Sequence, residues 1–559
     1  TSPSTSRGAA VDSTAIIDVT DHLRADGTLD WTPPKGTDWI VLRSGWSLTG
    51  EVNHPATPEG TGLEVDKLNP EHVRQHLDAY MTPVIAKLGP LVGKRGLRYL
   101  LTDSWEAGQE NWTEALPQEF AQRRGYDLRK LIPVLAGWVV DSSDRSDRFL
   151  WDYRRTLADL VAESHYGTIT RFAKEHDLGY YGEATGAAWP TVADGIQAKS
   201  RTDIPTGEFW AMPFGAEPAA FQGVRSNEFP GDIIETRSTA HIYGKPLVAA
   251  EALTSSLPQW TSTPWSLKWV VDKYMAMGVN RLIIHTSPHQ PGDTHKPGLT
   301  LGPFGQVFTR HETWGEMAKP WVDYLARTSY MLQQGQPVTD VLYFYGAGAP
   351  SGVPYRNSDE PVDLPNWGFD FTDAEALLTL AQVHDGRIAF PGGASYRVLV
   401  LPEHSQRIPL AVLRKLHDLV SQGAILVGAR PQGAAGLGDE DAAVRTLADE
   451  MWGQTDGLAL TVNKLGKGKI YWRRDVEGVL ADEHMTRDFE FAAPDPAMKL
   501  RFAHRSSPDA EIYFVTNQSA KAGKVPTWFR VSGKQPEIWH ADTGRITAAS
   551  YTMSDRRTM

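Results

Sequence analysis

Between residues 39 and 335, short apolar runs alternate with longer stretches of helical period, and this alternation restricts the fold more than any other feature. Strand-like runs occur at WIVLRS (39–44), LRYLLTD (97–103), GYYGE (179–183), IPTGEFW (204–210), PLVAAE (246–251) and LIIHT (282–286). Helical patterns lie at about 70–88, 117–124, 147–176, 265–277 and 312–334. Strands that alternate with helices build βαβ units, whose crossovers make the strands parallel. Six strands are visible where a closed (β/α)8 barrel needs eight. Polar residues nevertheless collect at the carboxyl ends of these strands, which is where such a barrel builds its active site. An open doubly wound sheet would also place ligands there, but the barrel is the arrangement expected.

The pattern restarts near Gly335. VTDVLYFY (338–345), RVLVL (397–401) and AILVG (424–428) read as strands, and 409–422 as an amphipathic helix. From 476 onward, runs such as KLRFAHR, EIYFVTN and TWFRVSG alternate apolar and polar residues between turn signals, the pattern of a β-sandwich or part of one. The expected fold class is therefore α/β multidomain. It comprises a turn-rich N-terminal segment (1–38), a TIM-type barrel (39–335), a small open-sheet α/β domain (336–475) and a β-rich domain (476–559).

The 559 residues include no cysteine, which removes disulfides, thiolate metal sites and a thiol nucleophile, including the one an amidotransferase-like second domain would need. The net charge is −12 and no basic stripe interrupts it, so a nucleic-acid partner is not expected. No run approaches the roughly 20 apolar residues of a membrane span. Neither a phosphate-binding glycine loop nor a G-x-S-x-G elbow is present. The chain starts at Thr1 with small polar residues and carries no leader pattern. A periplasmic or secreted location is favoured, and a cytoplasmic one is compatible. The oligomeric state is not legible.

The richest cluster is LLTDSWEAGQENWT (100–113), where Asp103 and Glu106 fall at and just past a strand, beside Trp105 and Trp112. A carboxylate among aromatic rings loses solvation, which raises its pKa and suits it to general-acid work. The same spacing also fits a helix-capping box. Glu183 lies between glycines after two tyrosines, Glu208 beside Phe209 and Trp210, and Glu251 after Ala249 and Ala250. Each alone could be a structural glutamate. Together, acids and loop aromatics (Trp189, Trp260 and Trp314 among them) describe a cleft suited to glycosidic bond hydrolysis. His285, His289 and His295 follow the last strand on a Gly/Pro-rich loop without the helical spacing of a zinc site. Hard oxygen donors are more plentiful, so calcium is the better-supported ion.

The run TDSWEAGQENWTEALPQEFAQRRGYDLRKLIPVLAG (102–137) resembles the α-L-rhamnosidases of glycoside hydrolase family 106. So do TGEFW (206–210), KPLVAAEALTS (245–255), GVNRLIIHTSPHQP (278–291) and QQGQPVTDVLYFYG (333–346). The resemblance implies a barrel enzyme that removes terminal α-L-rhamnose with inversion and uses calcium. It implies Glu106 as general acid, Glu251 as general base and Asp103 as the acid's support. It further implies Glu208 as a calcium ligand, with Glu183, His285, His289, Trp105 and Trp210 at the sugar. Family members are generally longer, so this chain is expected to be part of a longer enzyme. The alternatives are a barrel glycosidase for another sugar, or a catalytically silent carbohydrate-binding homologue.

Overall fold

The computed structural model describes residues 10–559 except 37, 185–190, 212–228, 256–259, 303, 305–306, 354–361, 363, 403–405, 454–456, 458, 494, 520–521 and 555–556. Five parallel strands form the first sheet: β1 (Tyr99–Thr102), β2 (Gly179–Gly182), β3 (Ile204–Trp210), β4 (Ala249–Thr254) and β5 (Arg281–Ile284), adjacent in chain order. Each pair is joined through helices: α1 (Pro70–Leu88) precedes β1, while α2 (Ser143–Leu160) and α3 (Gly167–Glu175) lead into β2. Then come α4 (Gly195–Ser200), α5 (Pro230–Tyr243) before β4, and α6 (Pro264–Ala276) before β5. A parallel sheet that keeps sequence order and covers itself with right-handed crossovers curls toward a barrel. Among the described residues it has five strands and stays open, a curled half-barrel.

The first expected strand does not form. Residues 39–44 adopt no regular structure, and Ile40 stands 73% exposed, because an extended apolar segment becomes a strand only when a neighbour accepts its backbone bonds. The other five form as expected, with one shift in register: β4 runs to Thr254, so Glu251 lies inside the strand rather than at its end.

After α7 (Lys319–Leu332) comes a second sheet. It comprises β6 (Val341–Phe344), β7 (Phe369–Thr372), β8 (Val398–Val400), β9 (Ile425–Val427), β10 (Thr461–Leu465) and β11 (Gly468–Trp472). Their order is β10-β11-β9-β8-β6-β7, parallel throughout except for the β10–β11 pair. Helix α8 (Leu410–Gln422) covers this sheet with Val412, Leu413, Leu416 and Val420, its apolar stripe. The β-rich end pairs β12 (Leu500–Ser506) with β13 (Glu511–Asn517), and packs a second small sheet against them around the buried Phe489, whose ring centroid lies 5.0 Å from that of Phe502. No helix among the described residues is long and apolar enough to cross a membrane.

Candidate active site

Thr102 of β1 and Gly182 of β2 are register partners, so the residues that follow them, Asp103 and Glu183, emerge side by side. Glu208 of β3 and Glu251 of β4 are register partners themselves. Parallel pairing therefore delivers four carboxylates to one end of the half-barrel. One oxygen each of Asp103, Glu183 and Glu251 lie within 4.8 Å of one another. Glu208 is outside that trio, though its charge reaches Glu183.

Three of the four acids have a side-chain donor, and the Ser104 backbone N–H donates to Asp103 at 2.7 Å. Ser104 Oγ donates to Glu183 at 2.7 Å, and Thr254 Oγ1 donates to Glu251 at 2.7 Å. Trp210 Nε1 donates to the Glu208 carboxylate. The backbone of Glu208 is pinned from behind: its N–H donates to Asp232 Oδ2 at 2.7 Å. Asp232 in turn binds the fully buried Lys199, which also lies 3.2 Å from Glu235. Helix α5 approaches β3 this closely only because position 207 is glycine. A Cβ there would meet Thr236 Oγ1 at 2.6 Å and Asp232 Oδ2 at 2.9 Å.

Burial and mutual repulsion set the protonation of the group. Glu183, 3% exposed, is pushed well above the ordinary carboxylate range, first by burial and then by the charges of Glu251 and Asp103. Glu208 is pushed up to about 8, mainly by burial. Glu251 is also raised by burial, against the opposing pull of the Thr254 hydroxyl and of His285. Glu106 differs: 47% of its side chain remains in solvent, and it lies 3.8 Å from His54 Nδ1. Its charge is nevertheless felt by Glu251.

The capping-box alternative for Asp103 and Glu106 fails, since no helix begins there and the next one starts at Leu116. His285 follows β5, and its buried Nδ1 has no partner among the described residues. His289 is exposed on the same loop and makes no hydrogen bond or ion pair with the carboxylates among the described residues. Trp105 is corrected from sugar platform to core residue: it is 4% exposed, its Nε1 donates to Gly108 O at 2.8 Å, and its ring packs edge-on against His165. An apolar ring next to a strand end is buried more favourably than displayed when a helix stands behind it. Trp210 stays half-buried beside Phe304, with ring centroids 6.0 Å apart. Trp189 lies outside the described residues. Ser104, Thr254, His54 and Asp232 were not singled out from the sequence. The first two sit one and three residues from residues that were, a spacing that suggests them only once the strand register is known.

This set of strand-end carboxylates coincides with a family-level match. Residues 1–553 match the model of glycoside hydrolase family 106, α-L-rhamnosidase. The chain belongs to the family 106 α-L-rhamnosidases. A rhamnosidase from Novosphingobium sp. PP1Y has a similar structure, with a TM-score of 0.89 and 40% identity, over 98% of this chain and 52% of that one. A protein of Formosa agariphila named "Putative beta-glucuronidase" is 35% identical over 543 residues, 96% of this chain and 43% of its own. The chain thus spans about half the length of these relatives. Gan42B, a GH42 β-galactosidase (from G.), shares the fold at a TM-score of 0.54 and 12% identity, covering 87% of this chain and 81% of its own.

Proposed function

We propose that this family 106 chain carries the catalytic site of an inverting exo-α-L-rhamnosidase, acting on carbohydrates that end in rhamnose. The observation that carries this reading is the convergence of Asp103, Glu183, Glu208 and Glu251 on one end of the half-barrel, with Glu106 within electrostatic reach of Glu251. In this reading Glu106 protonates the leaving oxygen and Glu251 takes a proton from the attacking water on the opposite face. Asp103 supports the acid. His285, with its free buried Nδ1, hydrogen-bonds a sugar hydroxyl, and Trp210 presents an apolar ring edge to the sugar. A closed (β/α)8 barrel, with strands beyond the five described, belongs to the same proposal.

The trio of Asp103, Glu183 and Glu251 fits calcium. All three offer hard oxygens, they lie close enough to share one ion, and a divalent charge would offset the repulsion that otherwise raises Glu183 and Glu251. Asp103 and Glu183 would hold it, with one oxygen of Glu251 in reach; Glu208, the ligand the resemblance implies, lies outside the trio and would act on the ion through its charge. A bound cation would supply charge stabilisation for the acids and orient sugar hydroxyls. Chelation with EDTA is expected to lower hydrolysis of an aryl α-L-rhamnoside, and added calcium to restore it. Indifference to EDTA would remove the ion from the account.

The name of the Formosa relative favours a second reading, a glycosidase for a uronic sugar. The four carboxylates weigh against it, since they would repel a uronate in the same cleft. One experiment separates the two: a panel of aryl glycosides with the anomer of the released sugar followed by NMR. Release of rhamnose with inverted configuration supports the proposal. Turnover of the β-glucuronide alone, or retention of configuration, overturns it.

A further inference from the structure

A crevice between the half-barrel, the second sheet and the β-rich end has a volume of about 480 Å³, the size of a small-ligand site. It lies on the opposite rim from the carboxylates. Its walls include Met277 and Gly278, just before β5, and Thr339 and Gly368, just before β6 and β7, all at the amino ends of parallel strands. The lining is unusual for a chain of net charge −12. Arg237, Lys499, Arg501 and Arg505 line it, and no Asp or Glu does among the described residues.

Among the described residues, one of its buried donors lacks an acceptor and one of its cations lacks a counter-ion. Trp367 is 4% exposed, and its indole N–H has no acceptor among the described residues. A buried donor without a partner is costly unless something supplies one. Arg505, half-buried on β12, donates Nε to the Gln334 carbonyl and Nη2 to the Gly335 carbonyl at 2.7 Å, and meets no carboxylate among the described residues. Burial without a counter-ion lowers its pKa to about 10. Other lining cations are already satisfied: Arg237 is paired with Asp370, and His504 with Asp488 and Glu511. Lys499 stands exposed at the rim with no ion pair among the described residues. Phe369, Phe491 and Phe502 also line it, the Phe369 ring lying 5.1 Å from the Arg237 guanidinium.

We propose that this crevice binds a small organic anion, a ring compound whose one carboxylate or sulfate is held by Arg505 and the Trp367 N–H while its ring face packs on the phenylalanines. A sugar acid and an aryl acid share that chemistry. The full chain should be titrated with glucuronate and with benzoate, and in parallel with neutral glucose and benzyl alcohol. Heat of binding gives the affinity. The Trp367 indole ¹⁵N–¹H resonance, assigned through Trp367→Phe, reports the contact. At least one anion is expected to bind more tightly than its neutral counterpart and to move that resonance, and whichever acid binds identifies the source. Arg505→Met should weaken binding about ten-fold or more, the worth of a charge-assisted hydrogen bond. Should that variant fail to fold, Lys499→Glu at the exposed rim should still weaken binding with unchanged thermal unfolding. The inference is overturned if neither anion binds, if neutral compounds bind as well, or if affinity survives both Lys499→Glu and Trp367→Phe.

Discussion

Glu208 and Glu251 face the same end of the half-barrel because they are register partners. Glu183 joins them because β2 stops one residue before it. Concentrating acids in this way is tolerable only with a donor for each, and Ser104, Trp210 and Thr254 provide them. If Glu106 and Glu251 act as acid and base, Glu106→Gln and Glu251→Gln should each lower kcat on an aryl rhamnoside about a thousand-fold, the upper-middle range for a general acid or base. Unchanged unfolding would show that the loss is chemical, and near-normal turnover in either variant would show the pair misassigned. A separate carboxyl in the same loop offers a stability test. Glu110 is buried beside Lys67 and pushed up to about 7, mainly by burial. Its unfolded form gives up its proton near pH 4.5, so between about 4.5 and 7 the folded state binds more protons and stability falls as pH rises. Glu110→Gln should remove up to about 3 kcal/mol of that decline. Melting curves of both proteins at pH 5 and pH 8 measure it; parallel shifts would show that Glu110 contributes nothing. At this scale the sequence was informative about which acids the fold brings together, since strand-end glutamates stand out. It misled on Trp105, expected at the sugar but buried in the core, because the side of a strand end that a helix covers is set by packing and not by the residue itself.

Helix α5 shows why elements were harder to read. It is essential as the crossover from β3 to β4, yet its sequence has no apolar face, because Asp232, Glu235, Ser238 and Thr239 are all buried along with its isoleucines. A helix enclosed on every side shows no 3.6-residue period. Its polar residues are accounted for by tertiary partners: Lys199 for Asp232 and Glu235, and Arg237 for Asp370. Conversely, 39–44 has the composition of a strand without the partner that would make it one. The α5–β3 contact sets the position of Glu208 through Asp232, and Gly207→Ala tests it. Thr236 and Asp232 cannot yield cheaply to a new Cβ, because Lys199 holds both and the Glu208 N–H holds Asp232 as well. Overpacking of this kind costs about 1–3 kcal/mol. The expected outcome is a lowered melting temperature together with reduced kcat, as Glu208 is displaced. Wild-type stability with full activity would show that the approach of α5 is looser than the contacts indicate.

Seen from the sequence, the chain divides at the restart near Gly335, but one of its three large buried clusters spans that point. That cluster joins Phe209, Val271 and Tyr274 of the half-barrel region to Val341, Phe371, Val427 and Tyr471 of the second sheet. Polar contacts reinforce the seam: Ser238 Oγ accepts the Phe371 N–H at 2.9 Å, Arg148 Nη2 donates to Gly436 O at 2.6 Å, and Asp152 accepts the Leu437 N–H at 2.8 Å. The β-rich end is tied in through Gln336–Pro337, which pairs with β12. Periodicity reports elements but not which of them share a core, so this continuity was invisible in the sequence. Domains joined by a small polar interface unfold separately, whereas a shared apolar core makes their unfolding one event. Calorimetry of the whole chain should therefore give one principal transition. The segment 1–335 expressed alone should expose the apolar face that Val341 and Phe371 cover and melt well below the whole chain, or aggregate. Two well-separated transitions, or a segment 1–335 as stable as the intact protein, would show that the seam is an interface and not a core.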